Sequence, residues 1–312
     1  MKLVFAGTPA AALPSLERLA AHHEVVAVLT RPAAPQGRGG QLMASPVELW
    51  ASARGIEVLA PSSPRSEDLA ARLAELQPDC CPVVAYGGLI PPALLDLPAH
   101  GWINLHFSLL PSWRGAAPVQ RALLAGQTVT GVTTFKLVTE LDAGPVYRQR
   151  LVSIGRDETA GALTRRLADM GADLLDDTLG GVAAGEQPQP QPADGVSTAP
   201  KIEPSEARLD PGWTTTDILN RIRAMSPEPG AWAEVDQTAL KILRARTGHL
   251  PAELAAASPK PRPGDLVATK RALYWVVRNG VIELIEVQAA GRRAMAAADW
   301  ARGALREPTR LA

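Results

Sequence analysis

The chain has 312 residues, 46% hydrophobic and 21% charged, and its 32 basic side chains balance 32 acidic ones to a net charge of zero. This length allows two domains, and the composition is that of an ordinary globular protein. No apolar run reaches the roughly 18 residues that suggest a membrane span, and the amino terminus leads into a strand pattern without a signal-peptide layout. We therefore expect a cytoplasmic protein with no membrane partner.

The first part of the chain alternates between short apolar runs and amphipathic segments. Strands are predicted at 3–6, 25–29, 81–85 and 102–105, and helices at 15–21, 68–76 and 159–179. This alternation indicates a parallel sheet with helices on both faces, a Rossmann-like α/β domain. The turn at 7–9 lacks the G-x-G-x-x-G spacing that holds a dinucleotide pyrophosphate, so no NAD is expected.

The cysteines, Cys80 and Cys81, are adjacent inside an apolar strand-like run. Adjacent cysteines in such a run favour buried thiols over a disulfide framework or a metal site. We therefore predict that both pack in the core, and no metal is expected.

The last part of the chain has a different pattern. A run at 185–192 is too proline-rich to continue a helix and indicates the start of a domain boundary. Short strands are predicted at 232–235, 240–243, 266–268, 273–277 and 281–287. Several short strands divided by turns indicate a small barrel.

The zero net charge hides a small asymmetry between the two parts of the chain. From residue 201 onward there are 17 Lys and Arg against 13 Asp and Glu, whereas the preceding part has 15 against 19. This excess is small, and a solvated surface with incidental bias explains it equally well. Charge alone does not predict a nucleic-acid partner.

The most informative segment is NLHFSLLPSWRG at 104–115. Residues two apart in a strand point in the same direction, so Asn104 and His106 share a face at a strand end while Leu105 points into packing. An amide and an imidazole that converge on one atom are suited to stabilising an oxyanion. Farther along, ELDAGP at 140–145 places Asp142 in a Gly/Pro loop between two strand-like runs, where a carboxylate can be held at a cleft.

Each of these residues also has a structural interpretation. A lone histidine at a strand end is more often a hydrogen-bonded structural residue, and a lone aspartate in such a loop is more often a turn former. The combination of N-x-H, SLLP, WRG and a later L-D-x-G favours the catalytic interpretation.

Further motifs accompany this combination: FAGTP at 5–9, GRG at 37–39, LMASPV at 42–47 and VAYG at 84–87. Together they resemble the folate-dependent formyltransferases that use 10-formyltetrahydrofolate, and the resemblance covers nearly the whole chain. WRGAAPVQR at 113–121 is similar to a stretch that distinguishes the branch acting on methionyl initiator tRNA. APKI at 199–202 and EARLD at 206–210 resemble the interdomain joint of that branch.

The resemblance implies a catalytic domain at 1–188, a linker at 189–206 and an OB-like tRNA-binding barrel at 207–312. It implies that the folate contacts come from two loops, formed by Ser108, Leu109, Leu110, Pro111, Tyr86 and Gly87. It implies tRNA contacts from Arg38, in the loop at 31–45, and from Lys201. A glycine-flanked surface arginine without an RNA role is the alternative interpretation of Arg38. We expect a monomer.

The reaction that the resemblance implies is direct transfer of a formyl group to the α-amine of methionine esterified to initiator tRNA. Asn104 and His106 would stabilise the oxyanion, and Asp142 would set the protonation state of His106 and help to move the proton. No serine or cysteine nucleophile is required. Two alternatives stay open: the same chemistry on another amine, such as a sugar nucleotide or glycinamide ribonucleotide, and an RNA-binding protein with an inactive formyltransferase-like domain.

Overall fold

The first strands form a mostly parallel sheet in a computed structural model that describes residues 1–36, 41–256, 258–305 and 311. The strands are β1 (Lys2–Gly7), β2 (Glu24–Leu29), β3 (Ala34–Gln36), β4 (Gln41–Met43), β5 (Glu57–Leu59), β6 (Cys81–Val84), β7 (Trp102–His106), β8 (Val129–Lys136) and β9 (Val146–Ser153). The sheet order is β5-β2-β1-β6-β7-β8-β9, and β3 pairs with β4 in a separate hairpin. Pairing is parallel from β5 to β7 and antiparallel from β7 to β9.

Helices follow most strands of this region: α1 (Leu13–His22), α2 (Pro46–Ser52), α3 (Glu67–Leu76), α4 (Pro92–Leu95), α5 (Pro118–Leu124) and α6 (Ala160–Ala183). Helix α2 begins where the Ser45 hydroxyl accepts the backbone N–H of Glu48 at 3.0 Å, and Pro46 occupies the first helical position. Helix α3 turns Leu69 and Leu73 toward the sheet core. Burial of each such leucine contributes about 1.5–3 kcal/mol.

The last part of the chain forms an antiparallel sheet. Its elements are α7 (Thr215–Ala224), β10 (Trp232–Val235), β11 (Thr238–Gly248), α8 (Ala252–Ala255), β12 (Leu266–Ala268), β13 (Leu273–Val277), β14 (Gly280–Ala289), β15 (Met295–Ala296) and α9 (Ala297–Ala304). The order is β10-β11-β14-β13-β12, with β15 paired to β14. The sheet curls into a half-barrel around Trp275, Leu273 and Ile282, each of which is fully buried.

These two sheets confirm the predicted fold class, a Rossmann-like α/β domain followed by a small OB-like β domain. By packing, the chain forms two compact units. The first contains Met1–Pro118, Val129–Ser153 and Thr164–Pro200, and the second contains Val119–Thr128, Ile154–Leu163 and Lys201–Ala312. The second unit therefore includes two segments that precede the predicted boundary. The limits at 1–188, 189–206 and 207–312 stay a prediction.

The buried thiols agree with the prediction for the cysteines. Cys80 and Cys81 are free and have no exposed surface. Burial raises the pKa of the Cys80 thiol to about 12 and raises that of Cys81 as well, since a thiolate would lose its hydration. Both side chains therefore stay protonated and inert in the core.

Candidate active site

Strand β7 places Asn104 and His106 at one cavity, as the alternation predicts. His106 is buried, with 6% of its surface exposed, and Asn104 is half-buried. Leu105 packs on the opposite side, where a Cβ atom built at Gly171 of α6 would lie 2.6 Å from the Leu105 Cδ2 atom. The glycine is therefore the residue that lets α6 approach β7.

The turn that carries Asp142 follows β8, which ends beside the start of β7, yet it reaches the same cavity at the end of β7. In the antiparallel pairing of β7 and β8, Lys136 lies opposite Ile103, so β8 ends near the start of β7. The chain must then run back along three residues of β7, about 10 Å at 3.3 Å per residue, to reach His106. The loop does so, and the Asp142 Oδ2 atom lies 3.7 Å from the His106 Nδ1 atom.

The tautomer of His106 follows from its hydrogen bond to the loop after β7. The His106 Nε2 atom lies 2.8 Å from the carbonyl oxygen of Trp113. A carbonyl oxygen only accepts hydrogen bonds, so Nε2 carries the proton and Nδ1 of the neutral ring carries a lone pair. That lone pair faces Asp142 at a separation too long for a hydrogen bond.

The carboxylate of Asp142 is held by the same loop. The backbone N–H of Gly115 donates to the Asp142 Oδ2 atom at 2.7 Å. Only 8% of the surface of Asp142 is exposed, and its φ is +50°, in the left-handed region that few residues other than glycine adopt. Its surroundings therefore determine the conformation of this turn.

The pKa of His106 is lowered from its ordinary value of 6.5. Burial is the largest cause because it disfavours the charged ring, while the charge of Asp142 and the bond to Trp113 act in the opposite direction. The ring is therefore neutral at pH 7, with its Nδ1 lone pair available to accept a proton.

This assignment predicts the pH dependence of turnover. With the neutral ring of His106 as the proton acceptor and its pKa lowered by burial from 6.5, we expect the midpoint of the acidic decline in kcat to lie below pH 6.5. Initial rates at saturating substrate between pH 5 and 8 measure this. A decline centred above pH 6.5 contradicts the assignment of His106 as the neutral base.

The cavity has a volume of about 580 Å³, which lies within the range of small-molecule sites. Its apolar lining includes Leu89, Ile90, Leu95, Leu137 and Leu141. Within the described part of the chain, the side chain of Asn104 makes no hydrogen bond, so its amide is free to donate to a bound ligand. An apolar wall beside a free donor fits a flat, partly aromatic ligand with one polar reacting centre.

The predicted folate residues fall into two groups. Tyr86 and Gly87 line the cavity together with Asn104, His106 and Asp142. Ser108, Leu109, Leu110 and Pro111 do not line it; the structure ties their turn to the neighbouring strands. Thr133 of β8 accepts from the Leu110 N–H at 3.1 Å, and its hydroxyl donates to the Ser108 carbonyl at 2.7 Å. A direct folate contact from this turn stays a prediction.

Of the two predicted tRNA residues, Lys201 is the one that the structure describes. Lys201 is exposed, and its carbonyl oxygen accepts from the guanidinium of Arg121 at 2.9 Å. Arg38 lies outside the described residues.

Over the ranges that the structure describes, no group of three His, Cys, Asp or Glu side chains is arranged to hold a metal ion. No helix in those ranges is both long and apolar enough to cross a bilayer.

Two backbone groups in the site were missed by the residue-level prediction. The Trp113 carbonyl orients His106, and the Gly115 N–H holds Asp142. The glycine of the WRG motif was the sequence feature that pointed to these backbone groups, because this loop has positive φ angles: +64° at Trp113 and +127° at Gly115. A Cβ atom at Gly115 would lie 2.7 Å from the carbonyl oxygen of Ala199, so only glycine fits there.

Comparison with known proteins gives the same assignment over most of the chain. Residues 1–179 match the family model described as formyl transferase, and residues 201–305 match the one described as formyl transferase, C-terminal domain.

Relatives are similar along nearly their full length. The methionyl-tRNA formyltransferase of Thermobifida fusca is 52% identical over 307 residues, covering 97% of this chain and 96% of the relative. The methionyl-tRNA formyltransferase of Streptomyces coelicolor is 50% identical over 309 residues, covering 97% of each chain. Among solved structures, HypX from Aquifex aeolicus in complex with tetrahydrofolic acid has a TM-score of 0.66 at 19% identity, covering 96% of this chain and 46% of that one. At that identity, the similarity concerns the fold alone.

Proposed function

The chain belongs to the formyl transferase family, and we propose that it transfers the formyl group of 10-formyltetrahydrofolate to the α-amino group of methionyl initiator tRNA. The product, formylmethionyl-tRNA, serves translation initiation. The observation that carries the chemistry is the convergence of Asn104, His106 and Asp142 on one cavity. The full-length similarity to two methionyl-tRNA formyltransferases supports the choice of acceptor.

His106 acts as the proton acceptor in this mechanism. When the amine adds to the formyl carbon, its nitrogen becomes acidic, and the Nδ1 lone pair of the neutral His106 takes the proton. The Nε2–H bond to Trp113 keeps the ring in the tautomer that leaves Nδ1 free. The same Nδ1–H then returns the proton to the N10 nitrogen as the bond from that nitrogen to the formyl carbon breaks, so no net proton is lost.

Asn104 stabilises the charge that develops on the formyl oxygen. Its amide N–H is a donor at the cavity that no described residue engages, whereas the donor of the neutral His106 ring is directed to Trp113. An oxyanion needs a donor that is in place before the charge forms. Asn104 therefore supplies the first donor, and His106 becomes a second one only after it is protonated.

Asp142 makes protonation of His106 possible in a buried site. An imidazolium without a counter-charge is costly there, and burial alone lowers the pKa of His106. The carboxylate at 3.7 Å from Nδ1 offsets part of that cost. Asp142 thus stabilises the ion pair that exists during the reaction and does not need to accept the proton itself.

A second cavity, in the second compact unit, supports RNA binding by that unit. It is lined by Arg156, Arg223, Arg244 and Arg246. Arg246 pairs with Glu283 through two hydrogen bonds of 2.9 and 3.0 Å. Arg156 and Arg244 form no ion pair with the described residues, so their charges are available to phosphate. We propose that Arg156, Arg244, Lys201 and Arg38 contact the tRNA. We also propose that the protein acts as a cytoplasmic monomer.

A formyl-transfer assay tests the choice of acceptor. The protein is given 10-formyltetrahydrofolate with methionyl initiator tRNA, with an amino-sugar nucleotide, or with glycinamide ribonucleotide, and the formylated product is measured. We expect turnover with the charged tRNA and none with the two small amines. Preference for a small amine refutes charged tRNA as the acceptor but leaves the proposed formyl-transfer chemistry unchanged. Failure with every acceptor favours an inactive RNA-binding domain.

Removing the proposed phosphate contacts is expected to weaken tRNA use selectively. Arg38→Ala, Lys201→Ala and Arg244→Ala should each raise the KM for charged tRNA without changing folate affinity. Each lost contact should also reduce the slope of log affinity against log salt concentration by about 0.7–0.9. Arg65→Ala, which removes another exposed cation, serves as the control. If the three variants match this control in tRNA affinity and salt slope, the proposed RNA surface is wrong.

A further inference from the structure

The side chain of Gln191 connects two loops of the catalytic site. Its Oε1 atom accepts from the Nε and an Nη atom of Arg114 at 3.1 and 2.7 Å. Its Nε2 atom donates to the carbonyl oxygens of Asp142 and Gly144, each at 2.8 Å. Arg114 has only donors and the carbonyls are only acceptors, so the amide orientation is unambiguous. All four hydrogen-bonding positions of this amide are used.

Gln191 lies in the Gln-Pro run that the sequence assigns to a linker. The run is nevertheless attached to the first compact unit, because Gln189 and Val146 exchange backbone hydrogen bonds of 2.7 Å in both directions. Gln189 and Gln187 have exposed side chains, whereas Gln191 is half-buried. Of these three glutamines, Gln191 alone directs its amide to the turn at Asp142.

The two loops that Gln191 connects carry complementary parts of the site. Arg114 lies between Trp113, whose carbonyl orients His106, and Gly115, whose N–H holds the carboxylate of Asp142. The second loop is the turn at Asp142, whose left-handed backbone conformation must be stabilised by contacts with the surrounding structure. The two hydrogen bonds from Gln191 reach the carbonyls on either side of Ala143, so they brace this turn against the Arg114 loop.

We propose that Gln191 is a positioning residue that holds the carboxylate of Asp142 at its working distance from His106. The proposal rests on the proposed formyl transfer. Gln191 is absent from the lining of the catalytic cavity, so it acts through Asp142 and not on the substrates. The side chain of Gln191, although it lies in the predicted linker, thereby serves the catalytic site.

The test compares Gln191→Met with Gln189→Met. Methionine fills a similar volume but cannot form the four hydrogen bonds, and the control makes the same change at an exposed position of the same run. With charged tRNA as acceptor, Gln191→Met should lower kcat by about 10- to 100-fold, because small displacements of catalytic groups have effects of this size. The KM for the folate should change far less. Gln189→Met should match the wild type.

The pH profile separates positioning from a purely structural role. The charge of Asp142 raises the pKa of His106, so a displaced carboxylate should move the acidic limb of the kcat profile of Gln191→Met to lower pH. In a background of Asp142→Asn, adding Gln191→Met should cause no further loss in single-turnover rate. An equal loss in both backgrounds, or an unchanged profile, overturns the proposal.

A second variant keeps the test informative if Gln191→Met does not fold. Gln191→Glu still accepts from Arg114 but cannot donate to the two carbonyls, so it should fold and still lose kcat. Full activity of Gln191→Glu refutes the proposal. The wild-type assay is run first: no formyl transfer there refutes the proposed function, whereas an active wild type with fully active Gln191 variants refutes only the role of Gln191.

Discussion

Asp142→Asn is expected to lower kcat by about 10³- to 10⁴-fold, the size of the loss when a histidine base loses its aspartate partner. Asparagine has the same shape and tolerates the left-handed backbone of residue 142, and its amide oxygen can still accept from Gly115. The negative charge is lost, however, so the imidazolium at His106 forms at a much higher cost. Single-turnover rates and thermal unfolding measure the two effects separately.

The pH profile of this variant provides a further check. Burial lowers the pKa of His106, and Asp142 opposes that shift, so the residual activity of Asp142→Asn should persist to lower pH than that of the wild type. Asp96→Asn, at an exposed carboxylate, should behave as the wild type. A folded Asp142→Asn protein with wild-type rate and profile would reassign Asp142 to a purely structural turn.

Asn104→Ala is expected to lower kcat by about 10²- to 10³-fold, the usual loss when one oxyanion donor is removed. The donor acts on charge that exists only in the transition state, so tetrahydrofolate affinity should change much less than kcat. Titration of the variant with tetrahydrofolate and steady-state kinetics measure the two quantities.

A second substitution at the same position tests the electrostatic cause. Asn104→Asp keeps the size of the side chain but replaces the amide donor with a carboxylate that repels the oxyanion. It should be at least as slow as Asn104→Ala and still bind tetrahydrofolate. Near-wild-type turnover in either folded variant would remove Asn104 from the mechanism.

The relation between Asn104 and His106 was readable from the sequence because it is local. Two residues that are two positions apart in a strand share a face whatever the strand pairs with, and Asn104 and His106 of β7 both line the cavity. Apolar runs likewise predicted β1, β2, β6, β10, β12 and β13 to within about two residues, the usual uncertainty of element ends. These segments bury their side chains, so their own composition identifies them.

Strand β11 shows where prediction from apolar runs fails. The sequence predicted residues 240–243, but the strand extends from Thr238 to Gly248. Its second half carries Arg244 and Arg246, which are exposed and give no apolar signal. Antiparallel pairing with β14 supplies the backbone hydrogen bonds that make this half a strand. A local sequence pattern cannot reveal pairing partners that lie 33 to 42 residues away in the chain.

The tertiary structure alone decided how the proposed catalytic groups meet. Residue patterns identified Asn104, His106 and Asp142 as candidates and the Rossmann-like sheet as their support, and the resemblance of the motifs to a known family implied formyl transfer as their chemistry. The return of the Asp142 turn along β7, the tautomer that the Trp113 carbonyl imposes on His106 and the bracing by Gln191 all depend on contacts between segments distant in the chain. Sequence periodicity reports which way a side chain points within its own element. Distances between elements depend on strand register and loop closure, which only the folded chain determines.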